Sequence, residues 1–89
     1  METISVQVTY RMGRPFAAYI HLGRRPGERT ARSEEISPEL IADYSADGRV
    51  LGLEVVSPGS TTADEIFAAF DRLGLGRPTA ADLGPLVAA

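Results

Sequence analysis

The 89-residue chain has no cysteine, and its single histidine is His21. The absence of cysteine excludes disulfides, thiolate zinc sites and cysteine nucleophiles together. With only one histidine, a zinc site would depend on carboxylates or on a second chain. The sequence therefore assigns no catalytic residue, no cofactor and no metal.

Long hydrophobic runs are also absent, and residues 1–10 alternate polar and apolar side chains instead of placing an apolar block after a basic patch. This alternation is not typical of a signal peptide, and no segment is long and apolar enough to cross a membrane. We expect a soluble, cytoplasmic chain without a membrane partner.

Lysine is missing, so all nine basic residues are arginine, and 12 acidic residues give a net charge of −3. Residues 1–32 contain six arginines and two glutamates, whereas residues 33–89 contain three arginines and ten acidic residues. A basic segment can mark a binding patch, but the acidic total disfavours a nucleic-acid partner. The favoured interpretation is that arginine keeps loops and an edge strand hydrated.

Period-two alternation predicts two antiparallel hairpins, because it is the pattern of strands with one buried face. The first hairpin pairs residues 3–10 with 16–22, and the second pairs 39–45 with 49–56. Between them, the polar segment 28–36 is expected to form an edge strand, where charge discourages pairing between sheets. The predicted class is α+β, with an antiparallel sheet of about five strands.

The turn of the second hairpin is predicted at Asp47-Gly48, because glycine accepts a positive φ without penalty. A two-residue turn sets Tyr44 opposite Leu51 and Ala42 opposite Leu53, and it extends to Leu40 opposite Val55. The alternative is a three-residue turn with a glycine bulge, which shifts the pairing by one residue. We prefer the first register, since it gathers the large apolar side chains on one face.

One amphipathic helix is predicted over residues 62–73. Thr62 and Glu65 form the two halves of a capping box, and Gly74 ends the helix. The residues expected to be buried between this helix and the sheet are Ile4, Val6, Val8, Phe16, Ala18, Ile20, Leu40, Tyr44, Leu51, Leu53, Ile66, Phe67 and Phe70.

The C-terminal segment 75–89 is too apolar for a solvated tail. We expect a single domain over residues 1–74 followed by this extension, in which Thr79 caps a short helix that Gly84-Pro85 ends early. Its apolar residues, Leu75, Leu83, Leu86 and Val87, predict a homodimer in which the tails cross onto the second subunit. The alternative is a tail that folds back over its own sheet.

Three polar residues are candidates for a site on the outer face of the sheet: His21, Asp43 and Glu54. A histidine near carboxylates suits acid–base or metal chemistry. The simpler interpretation, which we favour, is that all three are solvated side chains on an exposed sheet face. Asp47 and Gly48 are assigned a structural role in the turn.

The second predicted hairpin contains aspartate, glycine, arginine, valine and glutamate at fixed spacing, Asp43-x-x-x-Asp47-Gly48-Arg49-Val50-x-Gly52-x-Glu54. With this run as its most specific part, the order of segments from Ala18 to Val56 resembles the domain-of-unknown-function 2283 family of small, mostly bacterial proteins. The resemblance implies a compact sheet followed by a helix, with no established activity. Because some members of this family are neighbours of small toxin-like genes, it also implies a partner-binding role.

The favoured function is a non-catalytic protein-interaction module that self-associates, with a second protein, such as a small toxin-like protein, as a further partner. The alternative is a small-ligand or metal-dependent activity at His21, Asp43 and Glu54.

Overall fold

A computed structural model describes residues 4–79 and 81–87, and it contains one five-stranded antiparallel sheet with a helix packed on one face. The predicted α+β class is confirmed. The strands are β1 (Ile4–Arg11), β2 (Arg14–Leu22), β3 (Arg32–Ser37), β4 (Leu40–Tyr44) and β5 (Val50–Val55), and the helices are a 3-10 turn (Pro58–Ser60), α1 (Ala63–Arg72) and α2 (Gly84–Val87). The strand order is β1-β2-β5-β4-β3, so β1 and β3 are the two edges. Thr3, Ala80, Ala88 and Ala89, which some of the expectations include, lie outside the described residues.

The first hairpin turns through Met12 and Gly13, whose φ angles are 54° and 76°. Two consecutive positive φ angles in a two-residue loop match the type I′ turn, in which asparagine, aspartate and glycine are the usual residues. Methionine therefore adopts a backbone conformation that side chains with a Cβ seldom occupy. Met12 is therefore not a residue that favours this type of turn.

Phe16 is 54% exposed, so its predicted burial is wrong. The cause is a bulge: Thr9 pairs with Ala17 and Tyr10 pairs with Pro15, which leaves Phe16 without a cross-strand partner. An extra residue in one strand redirects its side chain away from the regular alternation.

The second hairpin combines features of both predicted registers. The N–H of Gly48 donates to the carbonyl of Ser45 at 3.0 Å, and Gly48 has a φ of 88°. The N–H of Ser45 in turn donates to the carbonyl of Arg49 at 2.8 Å, so the loop has three residues and the two-residue turn is wrong. Tyr44 then pairs with Val50, and its predicted pairing with Leu51 is also wrong.

A register shift between Asp43 and Tyr44 restores the preferred pairing in the rest of this hairpin. Ala42 lies opposite Leu53 and Leu40 opposite Val55, as predicted. Burial of one face explains this register shift, since a one-residue slip along the whole hairpin would move every apolar residue to the other face.

The polar strand β3 lies at an edge as predicted, but it begins at Arg32 instead of residue 28. Residues 28–31 form a loop in which the N–H of Glu28 donates to the carbonyl of Arg25 at 3.0 Å. The Glu28 carboxylate also forms an ion pair with Arg49. These contacts hold Glu28 in the loop and delay the start of the strand.

The main helix, α1, has the predicted ends. The Thr62 hydroxyl accepts from the N–H of Glu65 at 3.2 Å, and the Glu65 carboxylate accepts from the N–H of Thr62, which completes the capping box. At the other end, Gly74 has a φ of 71° and the N–H of Leu75 donates to the carbonyl of Phe70 at 2.9 Å. This is the hydrogen bond of a Schellman C-terminus.

The core lies between α1 and the inner face of the sheet. Of the residues expected there, eight are buried, whereas Ile4, Val6, Val8 and Phe67 are half-buried. Residues that the sequence did not assign to the core also enter it: Leu22, Ala42, Val55, Ala69, Leu83 and Leu86.

The C-terminal segment folds over its own sheet. Leu83 and Leu86 join the core cluster, and Leu75 packs against it. The N–H of Asp82 donates to the Thr79 hydroxyl at 3.1 Å, and the N–H of Thr79 donates to the Asp82 carboxylate at 2.9 Å, which shapes the turn before α2.

Gly84 and Pro85 begin α2, so the expectation that they end a helix is wrong. Proline is tolerated in the first turn of a helix, where its missing N–H has no intrahelical partner. Because Leu83 and Leu86 are buried on their own chain, they supply no argument for crossing onto a second copy. The homodimer itself stays a prediction.

Candidate functional surfaces

A polar network lies on the outer face of the sheet, the face opposite α1. Alternation along β2 places Tyr19 there, and its ring extends across Gly52 of β5 towards β4. The Tyr19 hydroxyl donates to Asp43 Oδ2 at 2.9 Å and accepts from Arg24 Nη2 at 3.0 Å. The Ser33 hydroxyl of β3 donates to the other carboxylate oxygen of Asp43 at 2.6 Å. Side chains from three strands and one loop are therefore joined through Asp43.

The pKa of Tyr19 is raised to about 12, chiefly because burial disfavours the phenolate. The hydrogen bond to Asp43 and the negative charge of that carboxylate raise the pKa further, while Arg24 acts in the opposite direction. At neutral pH Tyr19 is therefore a hydrogen-bond donor.

The three predicted site residues all lie on this outer face, but in different environments. A nitrogen of the His21 ring is 3.3 Å from Gln7 Oε1 on β1, and its ring centroid lies 4.7 Å from that of Tyr19. The Asp43 carboxylate accepts hydrogen bonds from the hydroxyls of Tyr19 and Ser33. Glu54 is exposed and lies opposite Tyr19 in the ladder.

Among the described residues, no side-chain hydrogen bond joins any two of His21, Asp43 and Glu54. The part of the chain covered by the structure also contains no group of three side chains placed to hold a metal ion. A ligand or metal activity at these three residues stays a prediction.

Asp47 and Gly48 lie in the loop of the second hairpin. The Ser45 hydroxyl donates to the Asp47 carboxylate, and this bond is the main cause of the lowered pKa of Asp47. The N–H of Arg49 donates to the Ser45 hydroxyl at 3.1 Å. The polar groups of Ser45 and Asp47 therefore form hydrogen bonds within this loop and stabilise its conformation.

Glu28 provides a second link between loops. The N–H of Arg25 donates to its carboxylate at 3.0 Å and is the largest cause of its lowered pKa, followed by Arg49. Arg49 Nη1 also lies 3.5 Å from the carbonyl of Gly23. These bonds hold the β2–β3 loop against the β4–β5 loop, which is a structural role.

A second surface, the hairpin tip, consists of residues 10–16 at the turn between β1 and β2. Met12 is 95% exposed, Tyr10 is 59% exposed, and Phe16, at the bulge, is also exposed and lines the same hollow as Met12. The Arg11 guanidinium lies 5.4 Å from the centre of the Phe16 ring, a cation–π distance. Two arginines and no acidic residue occur in this segment.

Sequence patterning missed the tip because its alternation assigns Phe16 to the core. One signal was available: Met12-Gly13 occupies a hairpin turn where Asn-Gly or Asp-Gly is the common choice. A methionine at that position suggests a requirement other than turn formation.

In a comparison with known protein families, a family described as protein of unknown function (DUF2283) matches residues 17–57. This confirms the resemblance predicted over Ala18 to Val56. The matched segment covers slightly less than half of the chain and runs from β2 to the end of β5. Tyr19, Arg24 and Asp43 fall inside the segment, whereas the hairpin tip precedes it.

No curated protein and no solved structure matches the chain. Within the described residues, no helix has the length and hydropathy needed to cross a bilayer.

Proposed function

We propose that the chain is a non-catalytic protein-interaction module that self-associates and binds a second protein through the hairpin tip. The observation that carries this proposal is the exposure of Met12, Tyr10 and Phe16 around a single turn. We place this role in the cytoplasm. A small toxin-like protein is a candidate partner, and the family resemblance is its only support.

The composition of the tip suits a binding surface. Aromatic residues, methionine and arginine are enriched in protein interfaces, and tyrosine and arginine are common among the residues that contribute most binding energy. Methionine also adapts its flexible side chain to irregular pockets. Arg11 and Arg14 lie beside the apolar residues and favour a partner with carboxylates around an apolar pocket.

The backbone of the tip supports the same interpretation. A positive φ at a residue with a long side chain is energetically unfavourable, and a bulge interrupts the ladder a few residues later. The positive φ lies at Met12 and the bulge at Phe16, and both apolar side chains are exposed. A sequence optimised only for folding would place asparagine or glycine at position 12 and would keep Phe16 in the alternation.

The outer-face network supports a non-catalytic role. Hydrogen bonds join Tyr19 to Asp43 and to Arg24, and a further one joins Ser33 to Asp43. These polar groups therefore link the strands to one another and to the β2–β3 loop. A satisfied network of this kind rigidifies a fold.

The proposal is tested by immobilising the full chain, capturing proteins from the source cell and measuring the masses of those retained. The matched control is Met12→Asn, which removes the apolar side chain but keeps a residue that tolerates positive φ. We expect a discrete protein to be retained by the wild-type chain and lost from the variant, while the variant unfolds at the same or a higher temperature. Equal retention by the two chains would contradict a role for the tip.

A further inference from the structure

The two edges of the sheet differ in their protection against pairing. On β3, charged side chains occur at Arg32, Glu34 and Glu35, and the ladder with β4 is irregular between Glu35 and Ser37. Arg72 of α1 also donates to the carbonyl of Ile36 at 3.0 Å. Charge and irregular geometry are the devices by which proteins prevent an edge strand from pairing with another chain.

Neither charge nor irregular pairing is present along most of β1, and the short helix α2 packs near this strand without pairing with it. From Ile4 to Tyr10 the strand contains no charged residue and no proline, and its register with β2 is regular as far as Thr9. β1 pairs with β2 alone, so its other edge is free of a neighbouring strand among the described residues. The inward-facing Ile4, Val6 and Val8 are only half-buried, whereas their counterparts on β2 are buried.

We propose that β1 pairs with β1 of a second copy, in antiparallel orientation and centred on Gln7, to form one continuous sheet of ten strands. This inference rests on the self-association in the proposed function and names its surface. Ser5 then lies opposite Thr9 of the partner, and Val6 lies opposite Val8 of the partner. Both copies bury the same patch, as a twofold interface requires.

The sequence of β1 fits this arrangement because it is symmetric about Gln7. The symmetry extends two residues from position 7, with valine on both sides at one step and a small hydroxyl residue on both sides at two steps. The residues at two steps, Ser5 and Thr9, are exposed on the outer face, while both valines face inward. Apolar side chains therefore meet apolar side chains, and the two cores lie on the same side of the joined sheet.

A second copy is favoured over a strand of another protein because β1 is complementary to itself. Two copies centred on Gln7 have strands of equal length and place their valines on the same face of the joined sheet. Main-chain hydrogen bonds supply affinity in strand addition, and the alternate side chains supply selectivity. The added pairing would also cover the half-exposed row of Ile4, Val6 and Val8.

Paired charge variants test this register directly. In Ser5→Lys/Thr9→Lys, each new lysine faces a lysine of the partner, whereas in Ser5→Lys/Thr9→Glu each lysine faces a glutamate. Like charges directly opposite each other destabilise a strand pair and opposite charges stabilise it. By sedimentation velocity at micromolar concentration, we expect wild type and Lys/Glu to be dimers and Lys/Lys to dissociate at least about tenfold more readily.

A second pair of variants keeps the test open if the lysine variant folds poorly. Gln7→Lys and Gln7→Glu each place like charges at the symmetry axis, so each alone should be monomeric and an equimolar mixture should form a heterodimer. Circular dichroism of every chain verifies that it is folded. A monomeric wild-type chain would overturn both the self-association and this interface. A dimer that is equally stable in all variants would retain self-association but overturn pairing through β1.

Discussion

Replacing Gly52 with alanine should displace the Tyr19 ring from the outer face of the sheet. A methyl group at position 52 would overlap Cε2, Cζ and Oη of Tyr19, and the ring has to move because the backbone of β5 is held between two strands. The moved hydroxyl would lose its 2.9 Å bond to Asp43 and its 3.0 Å bond from Arg24.

The expected cost follows from two opposing effects. A hydrogen bond to a charged group contributes about 1.5–3 kcal/mol, and the partial exposure of Tyr19 places its bonds at the lower end of that range. Alanine is better than glycine in a strand by about 0.5–1 kcal/mol. With two such bonds lost at about 1.5 kcal/mol each and about 0.5–1 kcal/mol regained, Gly52→Ala should lower the free energy of unfolding by about 2 kcal/mol.

Urea denaturation of a double-mutant cycle measures this effect. In a Tyr19→Ala background no ring occupies the space above residue 52, so Gly52→Ala should cost nothing or should stabilise the fold slightly. The two substitutions should thus be coupled by more than about 1 kcal/mol. An equal cost of Gly52→Ala with and without the Tyr19 ring would refute the packing described here.

Three further predictions concern the core, the tail and the alkaline limit of stability. Phe70→Ala should cost about 3–5 kcal/mol because the side chain is fully buried, and a urea midpoint close to wild type would show that α1 is not docked. A chain that ends at Gly76 loses Leu83 and Leu86, which contribute about 1.5–3 kcal/mol each when buried, so its Tm should fall; an unchanged Tm would contradict tail packing. The pKa of Tyr19 is raised from 10.0 to about 12, so the stability that its neutral form contributes is complete below pH 10 and is lost as the pH rises towards 12. The difference in unfolding free energy between wild type and Tyr19→Phe should shrink over that range, and a constant difference would refute the shift.

Alternating residues predicted the strands because burial of one face imposes a period of two. The same reasoning failed at Phe16, since a bulge is not visible in hydrophobic alternation alone. It also failed at Tyr44, where the loop and the strands prefer different registers and a second irregularity reconciles them. In both cases, local backbone geometry changed the position of one residue without changing the sheet.

The outer-face site was predictable only in part. Alternation placed His21, Asp43 and Glu54 on one face, but the bonds that organise this face involve Tyr19 and Arg24. Arg24 lies in a loop whose conformation depends on contacts with a distant hairpin, and the ring of Tyr19 depends on the glycine across the ladder. Such long-range placements leave no periodic pattern in the sequence.

The most direct test of the central claim is a binding titration between the captured partner and three chains: wild type, Met12→Asn and His21→Ala. The account predicts that Met12→Asn binds at least about tenfold more weakly, a loss of about 1.4 kcal/mol, while His21→Ala binds like wild type. Weakened binding by His21→Ala together with unchanged binding by Met12→Asn would place the functional surface on the outer face of the sheet and contradict the account.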